Sequence, residues 1–218
     1  MTQDTDQRIF TERHRQELAH RRVLVLDGEL NDDNGTHLMT QLLTLAADAP
    51  DETIALWIHS PGGSVPAMLA IRDILKSLPC AVSTVALGWA ASAGQFLLSA
   101  GTPGLRYAMP HAKVLLHQGS GGIGGTAVDV ELQAEDLRHT RDTTLRLIAE
   151  DTGQSPQRVY EDSLRDHWFT AQEALEYGFV DAIVTDFSQI APPGLRRPTG
   201  LTSRLSFPEH TIDTEEQR

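Results

Sequence analysis

Ala81-Val82-Ser83-Thr84-Val85-Ala86-Leu87 runs directly into Gly88-Trp89-Ala90-Ala91-Ser92-Ala93-Gly94. The first seven residues are mostly apolar and read as a buried strand. The next seven are small and glycine-flanked. They read as a turn that lifts one serine, Ser92, to the end of that strand and onto a helix start. Small neighbours there admit a substrate carbonyl, and helix-start amides favour negative charge. The same rhythm continues on both sides. Upstream, residues 22–26 read as a strand leaving through Asp27-Gly28, and Leu38, Leu42, Leu43 and Leu45 recur near helical spacing before Pro50. Residues 53–59 read as a second strand, closed by Ser60-Pro61-Gly62-Gly63. Met68, Leu69, Ile71, Ile74, Leu75 and Leu78 then form a helical face before Pro79. Downstream, strands are expected at 105–109 and 113–117, a long helix at about 128–151, short helices at 155–161 and 170–177, and a last strand at 179–184. This alternation predicts an α/β fold with a largely parallel sheet and crossover helices.

Composition narrows the function classes. A chain of 218 residues, 40% apolar and 22% charged, builds one core with little room for a second domain. A formal net charge of −12 with no basic cluster argues against a nucleic-acid partner. The single cysteine, Cys80, excludes an intrachain disulfide and reads as a small buried thiol. No Cys/His spacing matches a zinc site. Met1-Thr2-Gln3-Asp4-Thr5-Asp6 has neither the basic start nor the apolar stretch of a signal peptide, and no window is apolar enough to span a bilayer. The expectation is a cytoplasmic protein with no membrane partner. Residues 1–21 read as an N-terminal segment, 22–185 as one folded unit and 186–218 as a tail. That tail is rich in Pro192, Pro193, Gly194, Arg196, Arg197 and Pro198 and lacks periodic apolar content.

Serine is a poor nucleophile near neutral pH, so Ser92 needs a base, and the base an orienting carboxylate. His117 ends the strand at 113–117. Asp166, in Leu164-Arg165-Asp166-His167-Trp168-Phe169, supplies a third group; the three are spaced by 25 and 49 residues. Each alone has an ordinary account: a small residue packing a helix start, a core histidine, a surface carboxylate. Ser60, Ser64 and Ser120 also flank glycines, but in turns that need those glycines for conformation. Acyl transfer requires backbone N–H groups aimed at the developing oxyanion. The Ser60-Pro61-Gly62-Gly63-Ser64 turn allows close backbone approach, although Pro-Gly-Gly is also a common turn. A second N–H falls at Ala93.

Together these residues resemble the serine peptidases of the Clp protease family. The resemblance rests on Ser60-Pro61-Gly62-Gly63, Gly88 through Gly94, Leu116-His117-Gln118 and Thr152-Gly153-Gln154. It also rests on Arg165 through Ala171 and on Glu176-Tyr177-Gly178-Phe179-Val180-Asp181. It implies a spiral of β-β-α units shared with crotonases, with residues 22–185 as the peptidase domain and the long helix as a protruding handle. It further implies Ser92 as nucleophile, His117 as general base and Asp166 as its orienter, with oxyanion amides from Gly63 and Ala93. Extended substrate would pair with Gly119, Ser120, Gly121 and Gly122. The substrate class is peptides or unfolded polypeptides, cleaved through an acyl-enzyme without metal or cofactor. The implied assembly is two stacked heptameric rings, of one subunit or with a paralogous one, fed by an AAA+ unfoldase. Trp57 and Tyr107 fall where the family forms surface grooves for unfoldase loops; core packing accounts for both as well.

Four departures from the family pattern stand out. Gly119 replaces the usual proline after His117-Gln118, Ala93 a methionine, Leu164 an acidic or amide residue, and a polar acidic lead the apolar N-terminal hairpin. Two other readings therefore stay open. One is a partner-activated or non-competent structural subunit of a mixed barrel; the other is a crotonase-type acyl-CoA enzyme on the same fold.

Overall fold

The computed structural model describes residues 10–119 and 121–191. Positions 1–9, Ser120 and 192–218 lie outside the described residues. With them go the acidic lead, one member of the expected substrate loop and most of the expected tail.

Five parallel strands make the main path of the sheet in the order β1 (Val23–Asp27), β2 (Ile54–Ser60), β3 (Val82–Ala91), β4 (Arg106–Ala108) and β7 (Ala182–Ile183). Strand β3 is ten residues long and serves two neighbours. Thr84, Val85 and Ala86 pair with β4, whereas Trp89, Ala90 and Ala91 pair with β5 (Lys113–Leu116). Strand β5 then pairs antiparallel with β6 (His167–Thr170). Parallel neighbours need crossovers, and α2 (Asp32–Asp48), α3 (Val65–Ser77) and α4 (Ala93–Ser99) provide them. The chain also forms α1 (Glu12–Ala19), α5 (Ala127–Thr152), α6 (Pro156–Ser163) and α7 (Ala171–Tyr177).

Local chemistry sets these boundaries. Asn31 and Asn34 close a reciprocal capping box at the start of α2, and Thr126 with Asp129 does the same for α5. Ser64 caps α3, whose first turn holds Pro66, where no N–H is needed. Gly153 and Gly178 end α5 and α7 at φ 73° and 91°, a left-handed conformation in which other residues are strained. Alternate residues of the sheet enter two cores. Leu24, Leu26, Leu56, Ile58 and Ala86 face the main core under the helices, while Val23, Ala55, Trp57 and Val85 face a smaller one. Both faces being covered explains the continuous apolar runs that parallel strands show.

Several elements differ from the sequence expectation. Helix α1 and strand β6 were not foreseen. The strand expected at 179–184 is confined to Ala182–Ile183, with Phe179 and Val180 buried as irregular chain. Strand β3 runs on through residues 88–91, where a turn was expected, because β5 supplies a partner there. Trp57 is not a surface residue: it is 6% exposed, in edge-to-face contact with Phe187 at 5.8 Å. Tyr107 is half-buried in the same cluster. Residues 187–189, expected in the tail, form a 3-10 turn that buries Ile190. Among the described residues, no helix is long and apolar enough to cross a membrane.

Candidate active site

Two adjacent parallel strands, β3 and β5, end side by side, and the site lies beyond their carboxyl ends, where open α/β sheets generally bind ligands. Ser92 is the first residue past β3. Its N–H donates to Leu115 O at 3.1 Å, and its φ of 55° and ψ of −115° are strained for a residue with a Cβ. Such strain costs about 1–3 kcal/mol and persists only where the surroundings impose it. Here they do, because Ser92 must leave a strand and cap α4 within one residue.

His117 follows β5 directly, and Asp166 directly precedes β6. Leu116 pairs with His167 in that antiparallel ladder, so His117 and Asp166 face each other one step beyond it. His117 Nδ1 lies 3.1 Å from Asp166 Oδ1. The histidine is about a quarter exposed and the carboxylate about two-thirds.

The glycine turn packs against the serine. A Cβ built on Gly62 would lie 2.7 Å from Ser92 Cβ, 3.0 Å from Ala91 O and 3.2 Å from Ala93 N, so only glycine fits. Leu30 N donates to Gly62 O at 2.7 Å and Ser64 N to Leu30 O at 2.8 Å. These bonds hold Gly63 between them, in a parallel bridge to Leu30. A Cβ on Gly63 would run into the Leu30 carbonyl, and its φ is +142°. Ala93 begins α4, where an N–H has no acceptor within its own helix.

Ser92, Ala93 and His117 share one cavity of about 100 Å³. Its apolar walls are Val65 and Met68 of α3, Phe96 of α4, and Leu137, Leu145 and Ile148 of α5. Gly119 also lines it. A Cβ at Gly121 would meet Leu137 at 2.9 Å, whereas Gly119 and Gly122 would meet nothing within 4 Å; Ser120 is outside the described residues. The start of this loop is fixed by Gln118, whose N–H donates to Ser163 O at 2.9 Å and whose side chain reaches Ser163 Oγ at 3.3 Å. Sequence reasoning missed this anchor, and it read close backbone approach at the glycine turn without finding that Gly62 packs on Ser92. The Gln118 anchor left no local signal, since its partner lies 45 residues away. Among the described residues, no group of three or more His, Cys, Asp or Glu side chains could hold a metal ion.

Known proteins share much of this sequence. Residues 6–187 match the Clp protease family. The chain is 46% identical over 198 residues to ATP-dependent Clp protease proteolytic subunit 3 of Streptomyces coelicolor, covering 91% of each chain. It is 52% identical over 168 residues to proteolytic subunit 2 of Mycolicibacterium paratuberculosis, covering 77% of this chain and 84% of that protein. A third relative, proteolytic subunit 1 of Corynebacterium jeikeium, is 50% identical over 168 residues, 77% of this chain and 89% of that one.

Proposed function

The chain belongs to the Clp protease family, and on that premise we propose that Ser92, His117 and Asp166 hydrolyse peptide bonds through an acyl-enzyme. The protein is a proteolytic subunit of Clp type, a peptidase that works with Clp ATPases in ring assemblies. Two stacked heptameric rings, an AAA+ unfoldase at their ends and unfolded polypeptide as substrate are the finer proposals.

One observation carries the assignment of the three residues: the Asp166 carboxylate lies on His117 Nδ1 at 3.1 Å, beside a cavity shared with strained Ser92. A carboxylate on Nδ1 keeps the proton there and leaves Nε2 to take one from Ser92. As Ser92 Oγ attacks the carbonyl carbon, its proton passes to Nε2 and the carbonyl oxygen becomes an oxyanion. The Gly63 and Ala93 N–H groups hold that charge. Collapse breaks the C–N bond while the imidazolium returns its proton to the leaving amine. Water then repeats the sequence on the ester and frees Ser92. The cavity walled by Met68, Phe96 and Ile148 receives the side chain on the acyl side of the cleaved bond.

The test is covalent. A fluorophosphonate probe is expected to add once to the purified protein, read by intact mass, and not at all to Ser92→Ala. Labelling retained in that variant removes Ser92 as nucleophile. A second reading, a partner-activated subunit, rests on the exposure of Asp166 and on the open space that a Cβ would meet at Gly119 and Gly122. That reading predicts labelling only after mixing with a second Clp proteolytic subunit.

A further inference from the structure

Resting on this catalytic reading, we infer that the buried Arg72–Asp151 ion pair sets the width of the cavity beside Ser92 and so selects the side chain accepted there. Arg72 Nε and Nη2 donate to Asp151 Oδ2 and Oδ1 at 2.9 and 3.2 Å. The two side chains are only 10% and 6% exposed. Lys76 Nζ, in the next turn of α3, lies 2.9 Å from Asp151 Oδ1, and Glu150 lies 3.9 Å from Arg72. These groups join two helices that both line the cavity. On α3, Met68, Arg72 and Lys76 follow one another at four-residue spacing and share a face. On α5, Ile148 and Asp151 are three apart and do the same. The wall residues Met68 and Ile148 therefore sit one turn from the clamp.

Two further contacts make the clamp specific. The Arg72 guanidinium lies 6.0 Å from the centre of the Phe96 ring, which forms the third wall and belongs to the helix that Ser92 caps. The Asp151 carbonyl accepts from Arg106 Nη1 at 2.6 Å, and Arg106 is itself paired with Asp181, which ties this end of α5 to β4. Helices α3 and α5 each pack against α4 more than against one another, so the ion pair is a main direct link between them. Arg72 and Asp151 touch no reacting atom; they are positioning residues.

The test compares peptides carrying Ala, Leu or Phe before the scissile bond, cleaved by the assembly that takes the probe. Arg72→Met together with Asp151→Leu replaces the pair by apolar groups, a change that buried pairs often tolerate without loss of folding; Asp151→Asn is the second variant. The wild type is expected to discriminate among the three peptides. Both variants should flatten the kcat/KM ratios roughly three- to tenfold, chiefly through KM, with the probe rate at Ser92 unchanged. A uniform loss on all three peptides, or a lowered Tm with unchanged ratios, overturns the inference. A parallel measurement needs no catalysis: affinities of Ser92→Ala for product peptides ending in Ala, Leu or Phe should converge when the pair is removed. Unchanged affinity ratios overturn the inference whatever the probe shows. Absence of probe labelling in the wild type, both alone and mixed with a second Clp proteolytic subunit, instead removes the catalytic reading.

Discussion

At the scale of single residues, the site depends on two backbone positions as much as on three side chains. Ser92 is held at positive φ, and Gly62 is the residue whose missing Cβ leaves room for it. Gly62→Ala should therefore act on the nucleophile without touching the His117–Asp166 contact. The variant is expected to lose about 1–3 kcal/mol of stability from strain at φ +108°. Its fluorophosphonate labelling should slow at least about tenfold as Ser92 shifts. Asp166→Asn is expected to behave differently. It keeps the shape but allows the wrong imidazole tautomer, so kcat should fall by about 10²–10⁴ with little change in KM. Steady-state kinetics on one peptide separates the two variants. The candidates Ser92 and His117 were legible in the sequence because each closes an apolar strand. Asp166 has no such signal: its surroundings are charged and aromatic, and an ordinary surface carboxylate fits them as well. Its meaning comes from the β5–β6 register, and β6 has only one buried residue in four, so no periodicity announced it.

At the scale of elements, two groups, one buried and one half-buried, make stability depend on pH. Tyr177 of α7 is stacked on Phe179 at 4.6 Å, and its hydroxyl donates to Asp162 at 3.0 Å. Burial first, and then the Asp162 carboxylate, hold its phenol well above the ordinary tyrosine range. The unfolded chain ionises near pH 10 while the folded one does not, so this stabilisation is intact below about pH 10 and is lost as pH rises beyond it. An absorbance titration of the three tyrosines should show one that ionises only on unfolding, and Tyr177→Phe should remove that step. Asp181 acts on the acid side. Burial would raise its pKa, but bonds from the Arg106 side chain and N–H and from the Gly104 N–H outweigh it, and the carboxyl titrates below its usual range. Its contribution is present above about pH 4 and lost as pH falls through the lowered value. Asp181→Asn should flatten the acid limb of Tm against pH. The strands and helices around these groups followed the sequence wherever apolar periodicity was strong. Helix α1 was missed because none of its residues is fully buried; Leu18 packs only partly against the smaller core, and Arg15 pairs with Asp27 at 2.9 Å.

At the scale of the whole molecule, α5 is longer than this chain needs. Its 26 residues span about 39 Å, yet its buried residues, Leu145, Ile148 and Ala149, all lie in the C-terminal part. Toward the other end Val128 and Leu132 are 65% and 61% exposed and lie four residues apart on one face. An amphipathic helix presenting such a face to water is at a disadvantage unless another surface covers it. On the ring-assembly proposal made above, the fitting cover is α5 of a second copy. If the proposed rings stack in this way, Val128→Glu with Leu132→Glu should separate them, read as a halving of the sedimenting mass, while leaving the monomer fold and its far-UV spectrum unchanged. An unchanged mass would count against α5 as the ring contact. The net charge of −12 per chain adds a second expectation. Like charges repel across every contact between copies, and salt screens that repulsion over a Debye length of about 10 Å at 0.1 M. Raising ionic strength should accordingly shift the wild type toward the larger species. The double glutamate variant, which adds four negative charges to each helix pair, should show the same shift more steeply. A variant that stays small at every salt concentration would mean that apolar contact, rather than charge, governs the assembly.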